Sequence, residues 1–305
     1  MTDQKVFQNY VIISPVKDEE KYIETTIKSV LRQTVLPSRW IIVDDGSKDG
    51  TREIVDQYAE KYSWISVLPL RSGALRQTNL AEIRAFMAGF ELVRETEFDF
   101  IVKLDADLDL PPDYFERLMG KFHDDDTLGI ASGVYIEQRR KRWVLVPMPD
   151  YHASGASKMV RTKCFKDIGG FVPNRGWETI DEIRAQTMGW KTRHFEELRF
   201  HHLKPEGSGL GYIRTNSIHG EIYYLTGGGK LFFALKVLHR TIFGRPIFLA
   251  GLTMLVGFLK ASASKTPRLV SDREAKFYRE LLNARVPKNF LKIGDWLKLS
   301  RRAWR

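Results

Sequence analysis

The chain has 305 residues, enough to bury a full core as one large domain or one domain with an appendage. Hydrophobic residues make up 43% and charged residues 28%, both ordinary for a globular protein, and the single cysteine, Cys164, excludes a disulfide framework. The net charge of +10 suits nucleic acid, anionic lipid or phosphorylated ligands, but no zinc-ligand spacing or RNA-binding aromatic signature accompanies it, so nucleic acid is disfavoured. The N-terminus lacks the charged-then-apolar pattern of a signal peptide, and the expected location is the cytosol.

In chain order, Tyr10 to Pro15 is a short β-branched run closed by proline, which predicts a buried strand. Ile23, Ile27, Val30 and Leu31 recur at helical spacing, and Trp40 to Asp44 predicts a second strand. A turn of cap-forming residues leads from Asp45 into a helix carrying Ile54, Val55 and Tyr58. Ile65 to Leu70 predicts a third strand, residues 78–94 a helix, and Phe100 to Leu104 a fourth strand. Strand and helix alternate with short loops, the pattern of an α/β, doubly wound, parallel sheet. Ligands bind such sheets at the carboxyl ends of the strands, where Lys17-Asp18-Glu19, Asp44-Asp45 and Asp105-Ala106-Asp107 fall. No Gly-x-Gly-x-x-Gly follows the first strand, which disfavours a dinucleotide-binding dehydrogenase. The late Gly207-Ser-Gly-Leu-Gly211 and Gly227-Gly-Gly229 runs read as flexible connections.

The Asp105-Ala106-Asp107 triplet is the organising stretch. Residues i and i+2 of a strand project the same way, so the two carboxylates repel unless a cation lies between them. Hard divalent ions with oxygen ligands suit that position and also bind substrate phosphates.

Together these residues resemble the family-2 glycosyltransferases of the GT-A fold. The resemblance runs from about Val11 to His202. It rests on Pro15 with Asp18-Glu19-Glu20, Ser29-Val-Leu-Arg-Gln-Thr34, Ile42-Val-Asp-Asp-Gly-Ser47, Leu104-Asp-Ala-Asp107 and Gly169-Gly-Phe171, in that order. It implies a nucleotide-diphosphate-sugar donor, a Mg²⁺ or Mn²⁺ ion and a single displacement that inverts the anomeric carbon. It places Asp45 at the nucleobase and Pro15, Lys17 and Glu19 along the nucleotide pocket. Asp105 falls near the ribose or metal, and Asp107 is the main metal ligand. Lys17-Asp18 departs from the aromatic-Asn of the family, and Arg71 and Arg76 are phosphate-contact candidates. Asp109 is a further carboxylate in reach of the metal or a cap for the following turn.

An inverting displacement needs a base for the acceptor hydroxyl. The family takes it from an acidic pair about eleven residues before a glycine-aromatic pair, here Gly189-Trp190, and the count lands on Glu178. Asp181 and then Glu182 follow as alternatives on the same helix face. Trp177 is either a platform for an acceptor sugar or core. His201 and His202 end a predicted strand and point to opposite faces, so one of them, His202 for preference, completes the metal site or contacts the diphosphate.

The expected organisation is a catalytic domain over residues 1–226 and a helical region over 227–305. Residues 246–259 carry no charge, but 14 residues are too few to span a bilayer, which needs about 20. From Arg285 to Arg305 there are seven basic residues and one acidic one, with Trp296 and Trp304 among them. This suits peripheral attachment to the anionic inner face of the cell membrane, or a helix packed on the domain with a solvated tail. The resulting expectation is a metal-dependent inverting glycosyltransferase acting on a saccharide or lipid-linked acceptor in cell-surface polysaccharide or glycolipid synthesis. The alternatives are a sugar-1-phosphate nucleotidylyltransferase and a non-catalytic, membrane-associated carbohydrate-binding scaffold.

Overall fold

The computed structural model describes residues 9–70, 80–139, 142–204, 211–244 and 246–286. Arg71, Arg76, residues 207–210 and the tail with Trp296 and Trp304 lie outside the described residues. By their packing the residues form two compact units, Met1–Lys204 and Pro205–Arg305.

In the first unit strand and helix alternate as expected: β1 (Tyr10–Val16), α1 (Ile23–Leu31), β2 (Arg39–Asp44), α2 (Thr51–Lys61), β3 (Ile65–Pro69), α3 (Ala81–Glu91) and β4 (Phe100–Leu104). These four strands are parallel, in the order β3-β2-β1-β4. Their sequences are largely apolar because both faces are covered. Ile12, Ile42 and Val102 enter a core on one face; Ile13, Ile41 and Ile101 enter a second core on the other, with Phe86 of α3.

Beyond β4 the pattern changes. After β5 (Leu108–Asp109) and α4 (Tyr114–Asp124) come β6 (Leu128–Arg139), β7 (Arg142–Leu145), β8 (Ser157–Arg161), α5 (Thr162–Asp167), α6 (Trp177–Thr187) and β9 (Lys191–His202). β8 joins β4 and β6 antiparallel, β9 joins β6 in parallel, and short β5 joins the far side of β9 antiparallel. The doubly wound half is thus continued by a mixed half, which the alternation did not foretell. This mixed half brings β9 back beside the acidic loop.

The second unit contains α7 (Tyr212–Leu225), α8 (Lys230–Phe243), α9 (Leu249–Ala263) and α10 (Asp272–Asn283). α7 and α9 approach closely at glycines: a Cβ on Gly220 would lie 1.9 Å from the Met254 carbonyl oxygen, and one on Gly257 2.0 Å from that of Ser217. That contact groups α7 with the C-terminal helices. Ser271 and Glu274 close a capping box at the start of α10.

Candidate active site

The acidic loop is held by hydrogen bonds to its backbone. The Thr26 hydroxyl of α1 accepts from the Leu108 N–H at 2.9 Å and donates to the Ala106 carbonyl at 2.8 Å. The Asp105 N–H donates to Ala156 O, and the Leu203 N–H to Asp107 O, both at 2.8 Å. The antiparallel register sets Leu108 opposite His202.

One ligand atom from each of Asp105, Asp107 and His202 lies within 4.8 Å of the others. His202 Nε2 is 3.4 Å from Asp107 Oδ2, and its Nδ1 is 3.3 Å from Glu137 Oε1 on β6. Burial works against charge on this ring, but the hydrogen bonds to Asp107 and Glu137 hold its pKa up to about 10. The set fits a divalent ion: two carboxylates and an imidazole suit such a cation, and Glu137 fixes the ring as an outer carboxylate does in metal sites. His201 points the other way and packs on Trp143 at 4.4 Å between ring centroids. Asp109 turns to Arg32 at 3.1 Å and does not join the cluster.

Asp105 has a second partner absent from the sequence reading. Lys103, fully buried in β4, bonds both Asp105 and Glu82 of α3. Burial alone would discharge this lysine, but the two carboxylates keep it charged. Burial, with Glu82 and Asp107 nearby, lifts the Asp105 carboxyl above the usual range against the pull of Lys103.

The loops after β1 and β2 are tied together. Asp18, at φ 53°, receives the Lys48 N–H at 2.7 Å, and the Glu19 N–H donates to the Thr51 hydroxyl at 2.8 Å. The two neighbouring aspartates divide their roles. Asp44 builds the turn, accepting from the Ser47 N–H and hydroxyl at 2.9 and 2.6 Å. Asp45 is also buried, but meets only Lys17 at 3.3 Å, and its Oδ1 has no partner among the described residues. Glu19 pairs with Lys204 at 2.6 Å through Oε1, while its Oε2 is likewise unpartnered. Buried, unsatisfied acceptors are costly and mark a place where a ligand donor belongs. Pro15 lies on the same β1 end, half-buried.

The three acidic residues of α6 separate cleanly. Asp181 and Glu182 are buried around the Lys158 ammonium of β8, at 3.2 and 3.3 Å. Glu182 also accepts from Ala153 N–H at 2.8 Å and bonds His152 Nδ1 at 3.0 Å. With one lysine between two acids, burial raises Asp181, whereas Glu182 stays low because His152 and Lys158 outweigh its own burial. Glu178 is half-buried, and no hydrogen bond from a described residue reaches its carboxyl. Burial raises that carboxyl's pKa against the pull of Lys158, His152 and Lys103. Trp177 proves to be core: it packs on Phe171, with Lys103 and Lys158 over its ring at 5.7 and 5.2 Å.

Residues 11–177, more than half of the chain, match the model of glycosyl transferase family 2. The chain belongs to this family. It is 26% identical over 270 residues to the undecaprenyl-phosphate 4-deoxy-4-formamido-L-arabinose transferase of Pseudomonas savastanoi pv. phaseolicola, covering 77% of this chain and 75% of that one. It is 27% identical over 139 residues to the cholesterol galactosyltransferase of Borreliella burgdorferi, covering 44% of this chain but only 35% of that protein's length. Among solved structures, the mannosyltransferase PcManGT of Pyrobaculum calidifontis, in complex with GDP-Man and Mn²⁺, aligns with a TM-score of 0.52 at 17% identity, covering 96% of this chain and 84% of that one. The family-2 glycosyltransferase therefore has the GT-A fold, and the match to this family displaces the nucleotidylyltransferase reading.

The sequence reading missed Lys103, Lys158, His152, Glu137 and Lys204. Lys103 carried a signal, a lone charge inside an otherwise apolar strand. The others become neighbours of the site only through the mixed half of the sheet.

Proposed function

We propose that this family-2 glycosyltransferase moves a sugar from a nucleotide-diphosphate-sugar to a saccharide or lipid-linked acceptor, inverting the anomeric carbon and depending on Mg²⁺ or Mn²⁺. The observation that carries the reading is the gathering of Asp105, Asp107 and His202 on the sheet edge that also holds the unpartnered acceptors of Asp45 and Glu19. Asp107, His202 and Asp105 would hold the ion, which would supply Lewis-acid stabilisation of the charge on a departing diphosphate. Asp45 accepts from the imide of a nucleobase. Lys17, Glu19 and Pro15 line the rest of the nucleotide pocket, and Asp105 reaches the ribose. Lys103 keeps Asp105 directed.

Glu178 takes the proton from the acceptor hydroxyl as that oxygen attacks the anomeric carbon and the sugar–phosphate bond breaks. It is favoured over Asp181 because its carboxyl receives no hydrogen bond from a described residue, whereas Asp181 is locked to Lys158. Burial raises its pKa, which makes it a stronger base than an ordinary carboxylate.

The lipid-linked acceptor draws support from the relative named for undecaprenyl-phosphate. It suits a cytoplasmic enzyme peripheral to the inner face of the membrane and a role in cell-surface polysaccharide or glycolipid synthesis. No helix among the described residues is long and apolar enough to cross a membrane. The test is a thermal-shift screen of nucleoside diphosphates and their sugars with and without Mn²⁺. A true donor raises the melting temperature by mass action, and only with the metal. Absence of any metal-dependent shift, together with full activity in Asp107→Ala, would refute the reading.

A further inference from the structure

We propose that α8, α9 and the turn between them dock on an anionic phospholipid surface through an exposed apolar run. This rests on the membrane-peripheral reading above and names the residues that make the contact.

α9 is apolar nearly all round, yet only one face is covered. Ala250, Gly251, Met254, Gly257 and Ala261 are buried, whereas Leu249, Leu252, Val256 and Leu259 are exposed. The spacing i, i+3, i+7, i+10 sets those four in one stripe, turned away from the glycines that meet α7 and α8. On α8, Leu231, Leu238 and Ile242 repeat at i, i+7, i+11 and are exposed too. The turn adds Ile247 and Phe248, and exposure runs from 45% at Leu249 to 71% at Phe248. Scattered exposed apolar residues are ordinary, but a run this dense marks a contact surface.

Phe248 supplies an independent observation. Its φ of 64° lies in the left-handed region that a bulky side chain avoids, and its N–H is held by the Thr241 carbonyl at 2.9 Å. Backbone strain that thrusts an aromatic ring into solvent persists where the ring has a use.

Charge selects the occupant. Between Glu221 and Asp272 the sequence contains no acidic residue and seven Lys or Arg, including Lys230 and Lys260 at the outer ends of the two helices. Basic residues and no acidic ones flanking an apolar run in sequence, with Lys230 and Lys260 exposed, match anionic headgroups over acyl chains. At 15 residues, α9 is about 22 Å long, short of the ~30 Å hydrocarbon core, so the pair lies in the interface and does not cross it.

The experiment uses the full chain and flotation with vesicles of phosphatidylcholine alone or mixed with phosphatidylglycerol. The protein should float with the mixed vesicles at low salt and less so at high salt. Leu252→Gln, Val256→Gln and Leu259→Gln combined should lower partitioning by at least about tenfold, because three buried side chains leave the acyl region. Lys230→Glu with Lys260→Glu should weaken binding to the anionic vesicles alone. The triple variant should keep the wild-type melting temperature and Mn²⁺-dependent hydrolysis of the donor, since its sites are solvent-exposed. Wild-type protein that ignores anionic vesicles, or a triple variant that floats as well as wild type, overturns the proposal. So does a dimer in sedimentation that the triple variant dissociates, since a second copy then covers the face. Flotation without any donor hydrolysis leaves the docking intact and removes the transfer reading instead.

Discussion

Glu178 Oε1 lies so close to Gly155 that a Cβ on that glycine would sit 1.5 Å from it. The carboxyl of α6 thus occupies the space that any side chain at position 155 would fill. The backbone at Gly155 does not have positive φ, so alanine is conformationally admissible there.

Gly155→Ala should therefore act on catalysis and spare the fold. The clashing atom is the free end of a side chain, which can swing aside cheaply. Displacing a reacting group by about 1 Å costs up to about 100-fold in rate. Alanine itself should gain about 0.4–1 kcal/mol by restricting the unfolded chain. Steady-state transfer rates and thermal melts on the same sample separate the two effects. Unchanged kcat would mean that the carboxyl has no positional role.

Glu178→Gln should trade activity for stability. Burial raises this carboxyl above its unfolded value of about 4.3. A raised carboxyl contributes stability that is fully present below the unfolded pKa and is lost as pH rises through the folded one. At neutral pH the wild type bears that loss and the glutamine variant does not. The variant should melt higher than wild type near pH 7, with the gap closing towards about pH 4, while transfer falls by about 10²–10⁴-fold. A variant that melts lower at pH 7 would contradict the assigned direction.

Lys158→Met should be a stability mutation. It leaves Asp181 and Glu182 buried without their shared cation, and removing one partner of a buried ion pair costs about 3–5 kcal/mol. Urea unfolding measures this directly. Asp181→Asn, which leaves Lys158 its contact with Glu182, should be milder and retain transfer activity. Complete loss of kcat in a folded Asp181→Asn would move the base from Glu178 to Asp181.

The metal site is probed through its outer residue. Glu137→Gln should raise the Mn²⁺ concentration for half-maximal activity by about 10–100-fold, since the carboxylate that orients a metal-bound imidazole contributes that much to affinity. His202→Ala should raise it further. Half-saturation equal to wild type in both variants would exclude His202 from the ion's ligands.

The first four strands and three helices were legible from spacing, and the acidic triplet from strand alternation; Asp45 and Glu178 became candidates through the family resemblance. Apolar periodicity and turn residues are local properties, and the family's motifs lie within them. That His201 and His202 face opposite ways followed from strand geometry in the same manner. Residues 71–79 lie outside the described part, so the roles of Arg71 and Arg76 stay with the sequence reading.

What the chain's order of residues determined by itself was the alternating half of the sheet and the acidic groups at its edge, because each depends on neighbours a few residues away. Tertiary structure alone decided what each carboxylate meets. Asp44, Asp109, Asp181 and Glu182 have the same chemistry as Asp45, Asp107 and Glu178, but Ser47, Arg32 and Lys158 engage them, whereas Asp45 keeps one unpartnered oxygen beside Lys17 and Asp107 faces His202. The physical reason is that a buried carboxylate's role depends on the cations and donors within about 4 Å, and residues far apart in the chain bring those partners.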